Sequence, residues 1–482
     1  MEYLIALFPE IFLLTCSILG QSLLLFYRSC TKYILLVFSV LILITSLISF
    51  NIDYSLQKNI LFNNSFYIND IIFKIKIFIM FIVGIILFIF YYTKLDLKNE
   101  YFLIIIFAAI GALIAISSKD LLLLFCALEL QSLSSYAMVS LNKNISNSSE
   151  AAIKYFIMGS FFTCFMLLGT SFIYGFSGHL NFFEISNFLQ NNEMINLGFM
   201  LGLFFLLFSI FFKLSAAPFH FWSPDVYLTS DISSFLYFGT VTKISLSIAL
   251  ANIVQYLIFN LDNAIYSQIT KIFAIFSMIL GAFISINQIF IKRLMAYLGI
   301  LNIGYYLITV SIFTYEAQNI ALFFILNYSI SFLGLFLCMI FIFGKNIEYL
   351  SFHDLIQIGY SHRFTSILIL INIFSMLGIP PFLGFFMKYN ILYSALKNGE
   401  ISIACIAILM TVISGYIYLK IISYMYFIKN KQSKNILTQN SDDSIIIKYI
   451  FYTFILLSTL SLILLPIASY FVNFNIFSKF LF

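Results

Sequence analysis

Glu129, Lys213, Lys243 and Lys388 are ionisable side chains set in the middle of otherwise apolar runs. The stretch FFLLFSIFFKLSAAPFHFW (204–222) shows the pattern best, with Lys213, Pro218 and His220 interrupting one of the most apolar segments of the chain. A charge at the bilayer centre costs about 2.5–3.5 kcal/mol even on lenient scales, so four oppose insertion by roughly 10 kcal/mol unless paired or hydrated. Lysine suits proton exchange because burial weakens its hold on a proton and a nearby carboxylate strengthens it. A carboxylate such as Glu129 that approaches or leaves Lys213 would make the pair a switch. Pro218 follows Lys213 by little more than one turn and would open the helix to water. His220 titrates near neutrality and would suit a relay towards Lys243. A packed interfacial histidine beside Trp222 is the alternative. Lys388 would be the terminal exchange site. The competing reading of all four charges is a set of inert ion pairs tying helices together.

Other polar residues have simpler readings. Lys74, Lys76, Lys154 and Lys420 lie near the ends of apolar runs, where long side chains snorkel to headgroups. Asp120 and Glu150 lie at helix starts, where a carboxylate caps the dipole. Tyr297, Asn302, Asn327, Tyr328 and Ser331 could hold a water wire, although such residues also serve helix packing.

These side chains need a membrane frame. The chain has 482 residues, 62% hydrophobic and 9% charged, which is the composition of a polytopic membrane protein. Its net charge of +5 is scattered over the chain and forms no nucleic-acid-binding patch. Six cysteines lie far apart with no Cys-x-x-Cys pair, and the four histidines lack metal-ligand spacing, so redox chemistry belongs to a partner. The Ile-, Asn-, Lys- and Phe-rich usage fits an AT-rich genome, such as that of an organelle or a reduced bacterium.

At about 20 apolar residues per crossing, the sequence predicts fourteen spans, near 3–27, 33–50, 71–92, 101–117, 120–140, 151–176, 194–226, 231–257, 270–287, 293–312, 317–344, 364–397, 401–427 and 446–473. Glu2 stands where a signal peptide would be basic, so the first span is expected to be retained. One set of alternate loops holds twelve lysines and arginines, and the other holds five: Lys58, Lys119, Lys271, Lys397 and Lys479. That bias places both termini outside.

Spans seven and twelve exceed thirty residues and contain Pro218, and Pro380 with Pro381, respectively. Each is expected to be two half-helices around a break. They lie five spans apart, and an odd-numbered unit must insert its copies in opposite directions. Spans 4–8 and 9–13 therefore read as inverted repeats. The expected division is an N-terminal three-helix segment (1–100), a first repeat (101–257), a second (270–427) and a C-terminal helix (428–482).

Five segments carry a family resemblance: CALELQSLSSYAMVS (126–140), SSEAAIKYFIMGSF (148–161), FFKLSAAPFHFWSPDVYLTS (211–230), NQIFIKRLMAYLGILNIGYY (287–306) and FSMLGIPPFLGFFMKYN (374–390). Together they resemble the subunit N family of NADH–quinone oxidoreductase (subunit 2 of mitochondrial NADH dehydrogenase), antiporter-like subunits of the membrane arm of respiratory complex I. The resemblance implies an all-α antiporter-like fold and a proton-translocating role for Glu129, Lys213, Lys243 and Lys388. It adds Lys154, otherwise read as snorkelling, and His220. It also implies that NADH, FMN, iron–sulfur clusters and ubiquinone are bound by partner subunits, with none in this chain. Partners would be other membrane-arm subunits, including antiporter-like ones, and phospholipids. The stretch LTSDISSFLYFGT (228–240) departs from the Gly/Pro-containing loop usual in the family, and Thr242 stands where proline is common.

The function expected is proton translocation coupled to quinone reduction elsewhere in the complex. The alternatives are a subunit of a multi-subunit cation/proton antiporter, or a scaffold sealing the membrane arm. The location expected is the mitochondrial inner membrane, with a bacterial inner membrane as the alternative.

Overall fold

A computed structural model of the protein describes residues 5–26, 31–50, 60–93, 100–141, 147–191, 196–259, 264–428, 452–460 and 462. Among these, twelve helices are long and apolar enough to cross a membrane: Phe8–Phe26, Thr31–Phe50, Asp70–Thr93, Glu100–Ser117, Leu121–Ser140, Ser148–Ser177, Leu197–Leu214, Ile232–Ile258, Ile265–Ile286, Ile291–Ser311, Tyr315–Phe343 and Ile401–Tyr426. They are spans one to eleven and span thirteen. Span twelve is two helices, Arg363–Leu377 and Leu383–Lys397, each too short to cross alone. Span fourteen lies largely outside the described residues, as do the basic loop positions Arg28, Lys94, Lys98, Lys143, Lys429, Lys431 and Lys434. Its part 452–460 is helical.

Two connections between spans carry structure of their own. Ile60–Leu61 and Phe66–Tyr67 pair as an antiparallel hairpin before span three. Phe182–Asn191 forms a short helix after span six, burying Phe182, Ile185 and Leu189 at helical spacing.

The chain forms two compact units, one of Met1–Ser215 with Thr229–Ile265 and one of Ala216–Leu228 with Tyr266–Phe482. In the first, helix Ser148–Ser177 meets helix Leu197–Leu214 through glycines. A Cβ on Gly169 would lie 2.7 Å from the Gly202 carbonyl oxygen, and one on Gly202 would lie 2.9 Å from that of Gly169. Small residues let the backbones approach this closely. In the second unit, helix Ile291–Ser311 is buried along its whole length apart from Arg293, as befits a core helix apolar on all sides.

The repeat is visible in matching contacts within each unit. Leu121 donates its backbone N–H to Leu180, and Asp120 pairs with Asn181. In the second unit Ile291 donates to Leu350, and Phe290 pairs with Ser351. Gly111 packs against the backbone of Ala127 and Gln131, and Gly281 against that of Tyr297 and Leu301. Every residue of the second set follows its counterpart by the same number of positions. Both break points also match: Leu197–Leu214 ends at Ser215 and Arg363–Leu377 at Gly378, each left-handed, with φ of 60° and 86°.

Candidate functional site

Asp120 starts the helix that carries Glu129, its carboxylate accepting from the backbone N–H groups of Leu122 and Leu123 at 2.9 and 3.1 Å. Such a cap is worth about 1 kcal/mol. Three turns on, Glu129 faces Lys213, with the ammonium 3.2 Å from Glu129 Oε1. The same ammonium donates to the Leu128 carbonyl at 3.2 Å and to Ser132 Oγ at 3.3 Å. The lysine side chain is 8% exposed and the carboxylate 21%. The long 3.2 Å contact and the partly open carboxylate are the geometry of a couple that can separate, with Ser132 and a carbonyl left to hold the lysine.

Lys243 and Lys388 are held differently. A helix end leaves carbonyls without partners, and at both breaks a lysine supplies the donor. The Lys243 ammonium donates to Leu214 O at 2.5 Å and to Ser215 Oγ at 2.7 Å. Lys388 donates to Leu377 O at 3.0 Å and lies 5.2 Å from the Tyr305 ring centre. Leu214 and Leu377 are equivalent in the two repeats, since each precedes the left-handed cap. The repeats thus place a lysine on the same carbonyl but draw it from different elements, span eight in one and the second half of span twelve in the other. Among the described residues neither lysine meets a carboxylate, so each ammonium is held by backbone and hydroxyl dipoles, with the Tyr305 ring beside Lys388.

Around these lysines lie hydrogen-bonding residues whose roles the sequence leaves unmarked. Gln131 Nε2 donates to Ser245 Oγ at 3.1 Å and to the Tyr237 hydroxyl at 3.3 Å, linking spans five and eight. In the second unit Ser375, just before the break, lies 3.2 Å from Ser331 Oγ and 3.5 Å from Asn327 Oδ1. Of the expected relay residues, Asn327 and Ser331 therefore meet at the break. Asn302 donates to Leu298 O of its own helix at 2.9 Å and also hydrogen-bonds with Tyr418. The Tyr328 hydroxyl lies against Gly299, and Tyr297 interacts with Arg293. His220 is 5% exposed, stacks on Phe221 at 4.8 Å and faces Tyr297, while its Nδ1 is buried without a partner.

The peripheral lysines divide. Lys74 pairs with Asp70 at 2.7 Å in the first turn of its helix. Lys154 is half exposed and pairs with Glu150 at 2.7 Å, beside the outward-facing Ile153 and Ile157. Lys420 lies over the Phe352 ring. Lys76 departs from the snorkelling expectation: it is fully buried, 2.5 Å from Glu10. The hairpin roofs the start of its helix, so the route to the headgroups is closed.

The unusual 228–240 stretch has a local cause. Asp231 is fully buried and caps helix Ile232–Gly239 through the Ser234 N–H. Its carboxylate also accepts from the Tyr101 hydroxyl at 2.8 and 2.7 Å and from Ser233 and Ser234. Here a capping carboxylate does the turn-making that glycine and proline do elsewhere.

A family model described as NADH:quinone oxidoreductase/Mrp antiporter, TM matches residues 118–414. NADH-quinone oxidoreductase subunit N of Rickettsia felis is 40% identical over 428 residues, covering 88% of this chain and 93% of its own. The protein of that name from Orientia tsutsugamushi is 33% identical over 438 residues, covering 89% and 91%. Among solved structures, respiratory complex I from Thermus thermophilus contains a chain with TM-score 0.76 and 21% identity, covering 95% of this chain and 98% of its own. The Mrp complex from Dietzia contains one with TM-score 0.78 and 16% identity, covering 99% and 96%.

Proposed function

Given that the chain belongs to the NADH:quinone oxidoreductase/Mrp antiporter family of transmembrane proteins, we propose that it moves protons through the buried lysines of its two repeats, driven by quinone reduction in other subunits. It is a proton-translocating membrane-arm subunit of an NADH–quinone oxidoreductase. The observation that carries the mechanism is the Glu129–Lys213 couple, a buried ion pair at 3.2 Å whose lysine has a serine and a carbonyl to fall back on. Separation of the pair lets Lys213 release its proton, and return of the carboxylate lets it load one. Lys243 and Lys388, bonded to carbonyls at the breaks, pass it on; His220 and Lys154 are further exchange groups.

NADH, FMN, iron–sulfur clusters and ubiquinone are assigned to partner subunits, and the chain's neighbours are other membrane-arm subunits, among them antiporter-like ones, with phospholipids around them. Both termini face the outer side of the membrane. Composition favours a mitochondrial inner membrane, while the bacterial relatives favour a bacterial one. The fold alone does not separate complex I from a cation/proton antiporter, because the Mrp chain matches as well as the complex I chain. The relatives at 40% identity favour complex I.

Native electrophoresis of mildly solubilised membranes tests the assignment. Migration of this chain with a very large NADH-oxidising band is expected. Migration apart from that activity would overturn it in favour of an antiporter assembly.

A further inference from the structure

The proton-translocating reading uses none of the ionisable groups enclosed at the membrane face where spans one, three and five begin and spans four, six and eight end. The hairpin lies there. Its second strand bears Phe66 and Tyr67, neighbours whose side chains point to opposite sides. The Phe66 ring lies 4.7 Å from the Lys76 ammonium, and the Tyr67 ring 5.3 Å from that of Lys119. One backbone and one side-chain hydrogen bond fix this roof: Lys119 N–H donates to Ser65 O at 2.8 Å, and Asn181 Nδ2 donates to Asn64 O at 2.7 Å.

We propose that Lys119 and the Glu10–Lys76 couple, buried on either side of the second strand of the Ile60–Tyr67 hairpin, are a second set of proton-exchange groups at this face of the first unit, where protons pass between the lysines and the aqueous phase. The inference rests on the proton-translocating reading.

Three observations carry it. First, the Glu10–Lys76 couple repeats the chemistry of Glu129–Lys213 with deeper burial: the lysine is 0% exposed and the carboxylate 6%. One carboxylate oxygen takes Lys76 at 2.5 Å, while the other, Oε2, is buried with no partner among the described residues. That oxygen is free to accept a proton or a water, which a fully satisfied structural pair would not leave open. Second, Lys119 is 2% exposed and has no carboxylate partner among the described residues. Its ammonium donates to Asn252 Oδ1 at 2.8 Å and lies 4.2 Å from the Tyr256 ring centre. Burial pushes it down to about 7, well below the ordinary lysine range. Third, the fold does not require a lysine there. The second repeat builds the same backbone pairing with Ile289 before Phe290, where the first has Lys119 before Asp120.

The other titratable groups on the surrounding elements are engaged: Asp70 with Lys74, Asp120 as a helix cap, and His179 with Glu184 at 3.0 Å. The step is a proton transfer alone. A Lys119 ammonium gives one proton to water, the neutral amine remains bonded to Asn252, and the amine regains a proton from the interior.

The test uses the assembled complex in proteoliposomes, comparing Lys119→Ile, Lys119→Arg and Glu10→Gln with Lys213→Met. Lys119→Ile copies the second repeat and should assemble. It is expected to lower protons pumped per NADH and to remove the change in pumping centred near pH 7, while quinone reduction in uncoupled vesicles is kept. Lys119→Arg keeps the charge but cannot release the proton, and is expected to match Lys119→Ile in pumping. If the variants assemble and keep the wild-type ratio and pH profile while Lys213→Met loses pumping, the second site is overturned and the main reading stands. If Lys213→Met also pumps normally, the main reading falls with it. Should Lys119→Ile not assemble, Lys119→Arg and Glu10→Gln decide by the same readout.

Discussion

The Lys388 ammonium rests 3.0 Å from the carbonyl oxygen of Leu377, the last residue before its own span breaks. The lysine thus closes the helix end that its span opens, and in the first repeat Lys243 does the same for Leu214 from a different span. A cation at a helix C-terminus stabilises by about 0.3–1 kcal/mol, far less than the cost of burying it. Capping alone therefore does not offset the burial of the two lysines, which is what the proposed proton exchange at the break would use.

Exchange and capping separate by substitution. Lys388→Arg keeps a donor for Leu377 but holds its proton at every working pH. The variant is expected to assemble and to lose pumping. Lys388→Met is expected to lose both the cap and pumping. Assembly on native gels, with proton uptake per NADH, distinguishes the two.

The Glu129–Lys213 couple predicts strong non-additivity. Removing one partner of a buried pair costs about 3–5 kcal/mol because the other charge stays behind. Glu129→Gln and Lys213→Met should each lower the thermal stability of the detergent-solubilised complex, and the double variant should lower it by less than the sum. Equal and additive losses would mean that the two residues act separately.

Close backbone approaches predict matched damage in the two repeats. A Cβ at Gly111 would lie 2.8 Å from Ala127 O, and one at Gly281 2.7 Å from Leu301 N. Gly111→Ala and Gly281→Ala are each expected to destabilise by about 1–3 kcal/mol. At Gly384 the Cβ would collide with Ser375 O, beside the break, so Gly384→Ala should impair assembly more than either. Steady-state amounts of assembled complex check the order.

Lys119 predicts a pH-dependent stability. Its folded value of about 7 lies below the free-lysine value of about 10.4. The folded state thus binds fewer protons between those limits, and Lys119 destabilises increasingly as pH falls from about 10 to about 7, then no further. Lys119→Ile should be closest to wild type at high pH and gain relative stability down to neutrality. Melting temperatures of the purified complex across that range measure it.

Much of this was legible in the residues. Mid-span position marked Glu129, Lys213, Lys243 and Lys388, and long spans containing Pro218 and Pro380–Pro381 marked the breaks. The rest depended on what covers a side chain. Lys76 stands in the second turn of its helix, where nothing in the sequence tells an open headgroup region from a hairpin roof. Lys119 reads as a loop residue because the Asn252 and Tyr256 that enclose it come from the far end of span eight. Asp231 reads as a loop substitution until Tyr101, from span four, is seen to donate to it. Ser215 is an ordinary polar residue until Lys243 is seen to donate to it, and Gln131 and Ser245 are ordinary until they are seen to bond across spans five and eight.

The most direct test of the central claim is the number of protons pumped per NADH by assembled complex carrying both Lys213→Met and Lys388→Met. The account predicts that quinone reduction persists in uncoupled vesicles while the ratio falls. An unchanged ratio would contradict it and leave the buried lysines a structural role.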